Sequence, residues 1–272
     1  MSQTSKTSIL AMPEAWNIVS EGYVETTMKL LSSYAQLALE KAGLNSDQDI
    51  LDIACGPGTL SLLAAPLVQQ VSAIDFSESM LSQFEKFIEE EDIKNIEYQR
   101  GDAQTLPYDD EDFDVAFSMF GLMFFPDRIS AMQEALRCLK QNGKFIMTSW
   151  VPRAESPTFK LLMETMMAIN PQMVEPPAIT NPMEVPENIE QELLEAGFSK
   201  VNVERVSVNI PVNDPESFWE EMVKGNAPIA LLKKSLPSRE WKKKNKKAIA
   251  YLKKNLNVSE FQLDAWLTIA VK

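Results

Sequence analysis

The stretch Ile50-Leu51-Asp52-Ile53-Ala54-Cys55-Gly56-Pro57-Gly58-Thr59-Leu60 decides the fold. A short apolar run ends in a turn containing Gly56, Pro57 and Gly58, and helical spacing begins at once at Thr59. Strand, glycine turn and helix in that order build a cofactor site. The apolar run reads as a buried parallel strand. Gly56 and Gly58 lack Cβ atoms, so the backbone turns tightly and a ligand comes close. The helix beyond them aims free N–H groups at whatever lies over the turn. Asp52, inside the strand and just ahead of the glycines, would repel a pyrophosphate and suits a ligand carrying positive charge.

Working outward, strands and helices alternate. Residues 71–74 form a second strand ending at Asp75, and Ser77 is placed to cap a helix with the buried stripe Met80, Leu81, Phe84, Phe87 and Ile88. Residues 96–99 form a third strand, followed by Gly101-Asp102-Ala103. Residues 113–118 form a fourth. Asp127 then caps a helix through Leu139, and Asn142-Gly143 reads as a turn before a fifth strand over 144–150. This alternation predicts an α/β fold with a doubly wound, mostly parallel sheet. Upstream, residues 1–12 read as a flexible tail and 13–44 as helix, stopped at Gly43. Downstream, 152–186 is rich in proline and methionine, 186–196 is helical and stopped by Gly197, 201–210 is a strand, 214–255 is helical, and a last strand lies near the end.

Composition narrows the chemistry. The chain has 272 residues, 45% of them hydrophobic, and a formal charge of −13. That balance argues against nucleic acid as a general partner. It contains no histidine, so no imidazole base or His-ligated metal exists in it. Its two cysteines, Cys55 and Cys138, make neither a disulfide framework nor a metal cluster, which points to a reducing cytoplasm. No run of apolar residues is long enough to span a membrane. Charge is uneven: residues 224–272 hold twelve Lys or Arg against Glu240, Glu260 and Asp264. Such a run reads either as a solvated helix face or as a docking face for an anionic partner or membrane surface.

In a doubly wound sheet, ligands bind beyond the carboxyl ends of the strands, where the strand order reverses. Four segments should meet there: 54–58, Asp75 with Phe76, Asp102 with Ala103, and 118–120. Asp75, about 20 residues past the turn, is placed to accept both hydroxyls of a ribose. Asp102 can accept from an exocyclic amine, with the Ala103 N–H donating to a ring nitrogen, while Phe76 and Met80 offer apolar contact to a flat base or simply pack the core.

The pattern Asp52-x-Ala54-x-Gly56-x-Gly58, then Asp75, then Gly101-Asp102-Ala103 with Leu106-Pro107, resembles the class I S-adenosylmethionine-dependent methyltransferases. The match covers about residues 45–150. Residues 120–127 and 137–144 look like the branch that includes the ubiquinone and menaquinone C-methyltransferases. Ala54 stands where the family has its first glycine, and Asn142 where a proline is usual. The resemblance implies a seven-stranded sheet whose last strand is antiparallel. It also implies S-adenosyl-L-methionine as cofactor, with Asp52 and the turn (Ala54, Cys55, Gly56, Gly58) at its methionine end. Asp75 would then hold the ribose, Asp102 and Ala103 the adenine, with Phe76, Met80, Ser118 and Met119 around them.

The expected organisation is a tail (1–12), a Rossmann-like core with N-terminal helices (13–151), a cap segment (152–186), core continued (187–212), a helical cap insertion (213–258) and a last core strand (259–272). The expected activity is methyl transfer to a small, partly apolar molecule inside a dry, capped pocket. Met163, Met166, Met167, Phe218, Trp219 and Met222 are candidate pocket residues, and the bland alternative is that they pack a helical layer. Glu21, Tyr23 and Tyr108 are candidate bases by position only. A catalytically silent cofactor-binding protein and an NAD-type oxidoreductase stay open as alternatives. Asp52 and the missing third phosphate-cradling glycine oppose the latter.

Overall fold

The computed structural model describes residues 8–177, 179–212 and 214–272. Seven strands form one sheet in the order β3-β2-β1-β4-β5-β7-β6. They are β1 (Asp49–Ile53), β2 (Gln70–Asp75), β3 (Ile96–Arg100), β4 (Phe113–Met119), β5 (Leu139–Trp150), β6 (Lys200–Pro211) and β7 (Glu260–Val271). Strands β1 to β5 pair in parallel. Strand β7 runs antiparallel between β5 and β6. The predicted doubly wound, seven-stranded sheet with an antiparallel last strand is thus the observed one.

The side-chain alternation of a strand sends successive residues to opposite faces, and β1 shows what that does here. Leu51 and Ile53 enter a core with α5 (Arg128–Cys138) and α7 (Pro186–Ala196). Ile50 enters the other core, with α2 (Met28–Ala42), α3 (Thr59–Ala64) and α4 (Glu78–Glu90). Helices on both faces bury Ile50 to Ile53 of this strand, Asp52 among them. The caps are those the sequence predicts: Ser77 Oγ accepts the Met80 N–H, and Asp127 accepts the Ser130 N–H. Gly43 ends α2 in the left-handed region.

A third layer lies over the carboxyl ends of the strands. It consists of α6 (Pro157–Ile169), α8 (Pro215–Gly225), α9 (Ala227–Ser235) and α10 (Ser238–Asn255), packed around Trp219, Leu161, Ile169, Ala248, Leu252 and Phe261. The N-terminal helix α1 (Pro13–Gly22) continues through a π-helical turn (Tyr23–Thr27) into α2. That turn meets α8 closely: Lys224 pairs with Glu25 at 2.8 Å, and Thr27 Oγ1 donates to the Gly225 carbonyl at 3.4 Å.

Three expectations need correction. Of the supposed tail, residues 1–7 lie outside the described residues, but 8–12 are ordered. Ile9–Ala11 form a 3-10 turn capped by Ser8, and the Leu10 carbonyl accepts the Trp16 indole N–H at 2.9 Å. Leu10 has apolar neighbours to join, which a free tail would not. Asn142-Gly143 does not precede β5 but lies inside it. Asn142 sits at φ 63°, and the register with β4 slips between Phe113 and Val115, so the extra residues bulge out of a continuous strand. Finally, the helix of 13–44 is interrupted by the π turn, a feature frequent at functional sites. No helix among the described residues is long and apolar enough to cross a membrane.

Candidate active site

The strand order reverses between β1 and β4, and a large cavity opens above that point. Its volume is about 1340 Å³, more than one drug-sized ligand occupies. The wall on the sheet side carries Ala54, Gly56, Asp75, Phe76, Met80, Asp102, Ala103 and Met119. Eight of the twelve predicted cofactor residues therefore share one cavity.

The turn after β1 shapes this wall. Ala54, Gly56 and Gly58 all adopt positive φ, at 58°, 56° and 82°. The two glycines then differ. A Cβ on Gly56 would meet nothing within 4 Å, because that side is open cavity. A Cβ on Gly58 would lie 2.1 Å from the Phe84 ring, because that side is packed core. Gly56 gives a ligand access to the backbone, whereas Gly58 lets α4 sit tightly against the turn.

Asp75 ties the wall together. Its two carboxylate oxygens accept the Gly56 N–H and the Ser77 N–H, each at 2.8 Å. One lone pair on each oxygen is left for a ligand. The group is 7% exposed, and burial pushes its pKa up to about 6 against the pull of those two N–H donors. Ser77 Oγ donates in turn to Asn17 Oδ1 at 2.7 Å, so α1 is latched over the N-terminus of α4. Asp102 is exposed toward the cavity, with Oδ1 accepting the Gln104 N–H at 2.9 Å.

Asp52, Cys55, Gly58 and Ser118 do not line the cavity. Asp52 shares its strand face with Ile50 and points toward α3, where Ser61 Oγ donates to it at 2.6 Å. It is 1% exposed, and burial, opposed by Ser61, raises its pKa to about 7. Its carboxylate is engaged by Ser61, and Asp52 is not among the residues that line the cavity. It ties the end of β1 to α3. Cys55 is buried against α3, which raises its thiol pKa. Ser118 is fully buried, with its hydroxyl unpartnered among the described residues.

The candidate bases fare no better. Glu21 is exposed, and Tyr108 packs edge-on against Phe113, away from the cavity. Tyr23 does reach the wall, but burial and then the Asp75 charge lift its phenol well above the ordinary range. It is a hydroxyl donor at neutral pH.

The cap side of the cavity is apolar. Trp150 stacks on Phe120 with centroids 4.1 Å apart and meets Phe159 edge-on at 5.0 Å. Met163, Met166, Phe218 and Met222 complete this end. Trp219 is instead sealed inside the cap, donating to Asn245 Oδ1 at 2.7 Å, and Met167 is off the wall. Sequence reasoning missed Phe124, which meets Trp16 edge-on at 5.0 Å across the mouth. It also missed Asn17, whose neighbours one turn away on the helix are Pro13, Glu14, Ser20 and Glu21, so no break in the apolar pattern marked it.

A methyltransferase-domain family model matches residues 51–147. The uncharacterised methyltransferase YcgJ of Bacillus subtilis is 31% identical over 111 residues, covering 41% of this chain and 44% of that protein. The demethylmenaquinone methyltransferase of Listeria welshimeri is 30% identical over 121 residues, covering 43% of this chain and 51% of the relative. The chain thus spans about half the length of these curated relatives. The crystal structure of YcgJ superposes with a TM-score of 0.60 at 20% identity, covering 88% of this chain and 97% of that one. A putative methyltransferase from Bacillus halodurans superposes with a TM-score of 0.59 at 23% identity, covering 88% and 99%. At those identities the structural likeness is one of fold. The sequence match and the topology around it agree: residues 51–147, which run from β1 through most of β5, match a methyltransferase domain and lie in a sheet of the same fold as these neighbours.

Proposed function

We propose that this protein transfers a methyl group from S-adenosylmethionine to a small, partly apolar acceptor held under the cap. The observation that carries the reading is one continuous cavity with a polar, aspartate-bearing end on the turn after β1 and an apolar, methionine-lined end beneath α6 and α8.

The polar end suits the cofactor. Space stands open above Gly56, where any side chain would intrude. Asp75 keeps lone pairs for the two ribose hydroxyls, and Asp102 presents a carboxylate to an exocyclic amine. Phe76 and Met80 flank the position of a flat base. When bound, the cofactor supplies an electrophilic sulfonium methyl group. The chain's own residues then orient and exclude water. The tethered Asp75 and the α1 latch through Asn17 and Ser77 fix the cofactor end. Trp150, Phe159, Met163 and Met222 desolvate the acceptor and hold it for in-line approach at about 3–3.5 Å. Unbranched methionines adapt to an irregular ligand, which favours a compact apolar acceptor over a macromolecule. No His exists in the chain and Tyr23 is held protonated, so what these residues contribute is positioning and desolvation.

The test is calorimetric titration with S-adenosylmethionine and S-adenosylhomocysteine. Saturable one-to-one binding is expected. Asp102→Ala, an exposed position, should weaken it by roughly 10- to 150-fold, the worth of one charge-assisted hydrogen bond at about 1.5–3 kcal/mol. Asp75→Ala should abolish it. Absence of binding by the wild type at millimolar cofactor would overturn the proposal.

A further inference from the structure

The cofactor reading leaves α10 unexplained. Its sequence, Ser238 to Asn255, carries seven lysines, one arginine and a single acid, Glu240, in a chain of net charge −13. At about 100° per residue, Arg239, Lys242, Lys243, Lys246, Lys247, Lys253 and Lys254 fall within one arc of roughly 140°, with Ala250 the only other residue among them. All seven are exposed. The stripe runs about 22 Å along the helix. Of the seven, only Lys253 has an ion-pair partner among the described residues, Glu216 at 2.9 Å. Lys233 and Lys234, exposed in the last turn of α9, extend the same charge. An ordinary solvated helix mixes signs and pairs them at i,i+4. A single-sign stripe on an acidic protein instead costs self-repulsion, which a negatively charged partner relieves.

We propose that the α10 stripe docks the protein on an anionic phospholipid bilayer. Four to eight basic residues on one helix face are what a charged headgroup surface attracts. The charges are lysines but for one, which act as mobile point charges rather than bidentate forks for a defined phosphate. The stripe bears no aromatic residue on which a nucleobase would stack. The opposite face of α10 packs Trp241, Ala248, Ile249 and Leu252 into the cap core with Leu161, Phe218 and Trp219. The bilayer would therefore lie one helix layer from the methionine-lined end of the cavity. On the methyl-transfer reading above, that arrangement feeds an apolar acceptor from membrane to site; the docking itself does not depend on that reading.

The experiment is co-sedimentation of the full chain with vesicles of phosphatidylcholine alone and with about 30% phosphatidylglycerol. Binding to the anionic vesicles at about 0.1 M salt, release at about 0.5 M, and no binding to phosphatidylcholine are expected. The combined variant K242Q/K243Q/K246Q/K247Q should keep the wild-type circular dichroism, melting point and S-adenosylhomocysteine affinity. Its partitioning should fall by some 10²- to 10³-fold, since each basic residue near the surface contributes roughly a fivefold factor. Failure of the wild type to bind anionic vesicles overturns the proposal, as does equal binding by the variant. Displacement from the vesicles by duplex DNA at equal charge concentration overturns it in favour of nucleic acid. Because the cofactor titration is a separate readout, a negative vesicle result leaves the methyl-transfer reading where it stood.

Discussion

Gly56 and Gly58 are two residues apart and both left-handed, yet an alanine at each should do opposite things. Gly56→Ala places a Cβ in open cavity at φ 56°, so its cost to folding is the left-handed strain alone, about 1–2 kcal/mol. Gly58→Ala carries the same strain at φ 82° and also drives a Cβ to 2.1 Å from two Phe84 ring atoms. The ring is fully buried and has nowhere to go, so overpacking adds about 1–3 kcal/mol, for a total of about 2–5 kcal/mol. At roughly 2–4 °C per kcal/mol, Gly56→Ala should lower the melting point by about 2–8 °C and Gly58→Ala by about 4–20 °C. Cofactor binding should reverse the order. The Gly56 methyl group fills the space above the turn and should remove S-adenosylhomocysteine binding. Gly58→Ala, assayed well below its melting point, should retain weakened binding. Calorimetric titration and thermal melts on the same preparations check both halves. If Gly56→Ala bound the cofactor normally, or if Gly58→Ala melted like the wild type, the division of the turn into a ligand side and a packing side would be wrong.

Other outcomes follow from buried groups. Asp75 has its pKa raised to about 6 by burial, and only its carboxylate accepts two ribose hydroxyls, so cofactor affinity should fall about tenfold between pH 7.5 and pH 5, read by calorimetry at each pH. The same raised pKa, with that of Asp52 at about 7, sets a stability trend in the cofactor-free protein. Both native groups hold protons that the unfolded chain releases near pH 4, so their contribution is present below about pH 4 and is lost as pH rises through 6 to 7. Asp52→Asn, which can still accept from Ser61, should therefore raise the melting point at pH 8 but not at pH 4. Trp219→Ala removes a fully buried indole from the cap and its bond to Asn245, at a cost of about 3–5 kcal/mol. With an acceptor in hand, it should raise the acceptor KM while leaving S-adenosylhomocysteine affinity nearly unchanged.

By itself the sequence determined the sheet, because its signals are local. Apolar runs of strand length, glycine turns and caps such as Ser77 and Asp127 act within a few residues, and β1 to β4 lie where those signals put them. The same locality made Asp75, Asp102 and Gly56 legible, since each sits at the carboxyl end of a strand, and the fold rule says which end binds. The order of the last two strands came from family likeness rather than from any residue, and β7 between β5 and β6 is a choice made by long-range pairing. Tertiary structure alone decided which way side chains face. Asp52 and Asp75 look alike in sequence, but strand parity sends one to Ser61 in the core and the other to the cavity. Gly56 and Gly58 look alike until Phe84, from a helix twenty residues away, packs against only one. Trp219 and Met222 share a helix, yet its phase buries the indole in the cap and turns the thioether toward the cavity. Periodicity gives a residue its element, but only the neighbours brought in from elsewhere in the chain give it a partner.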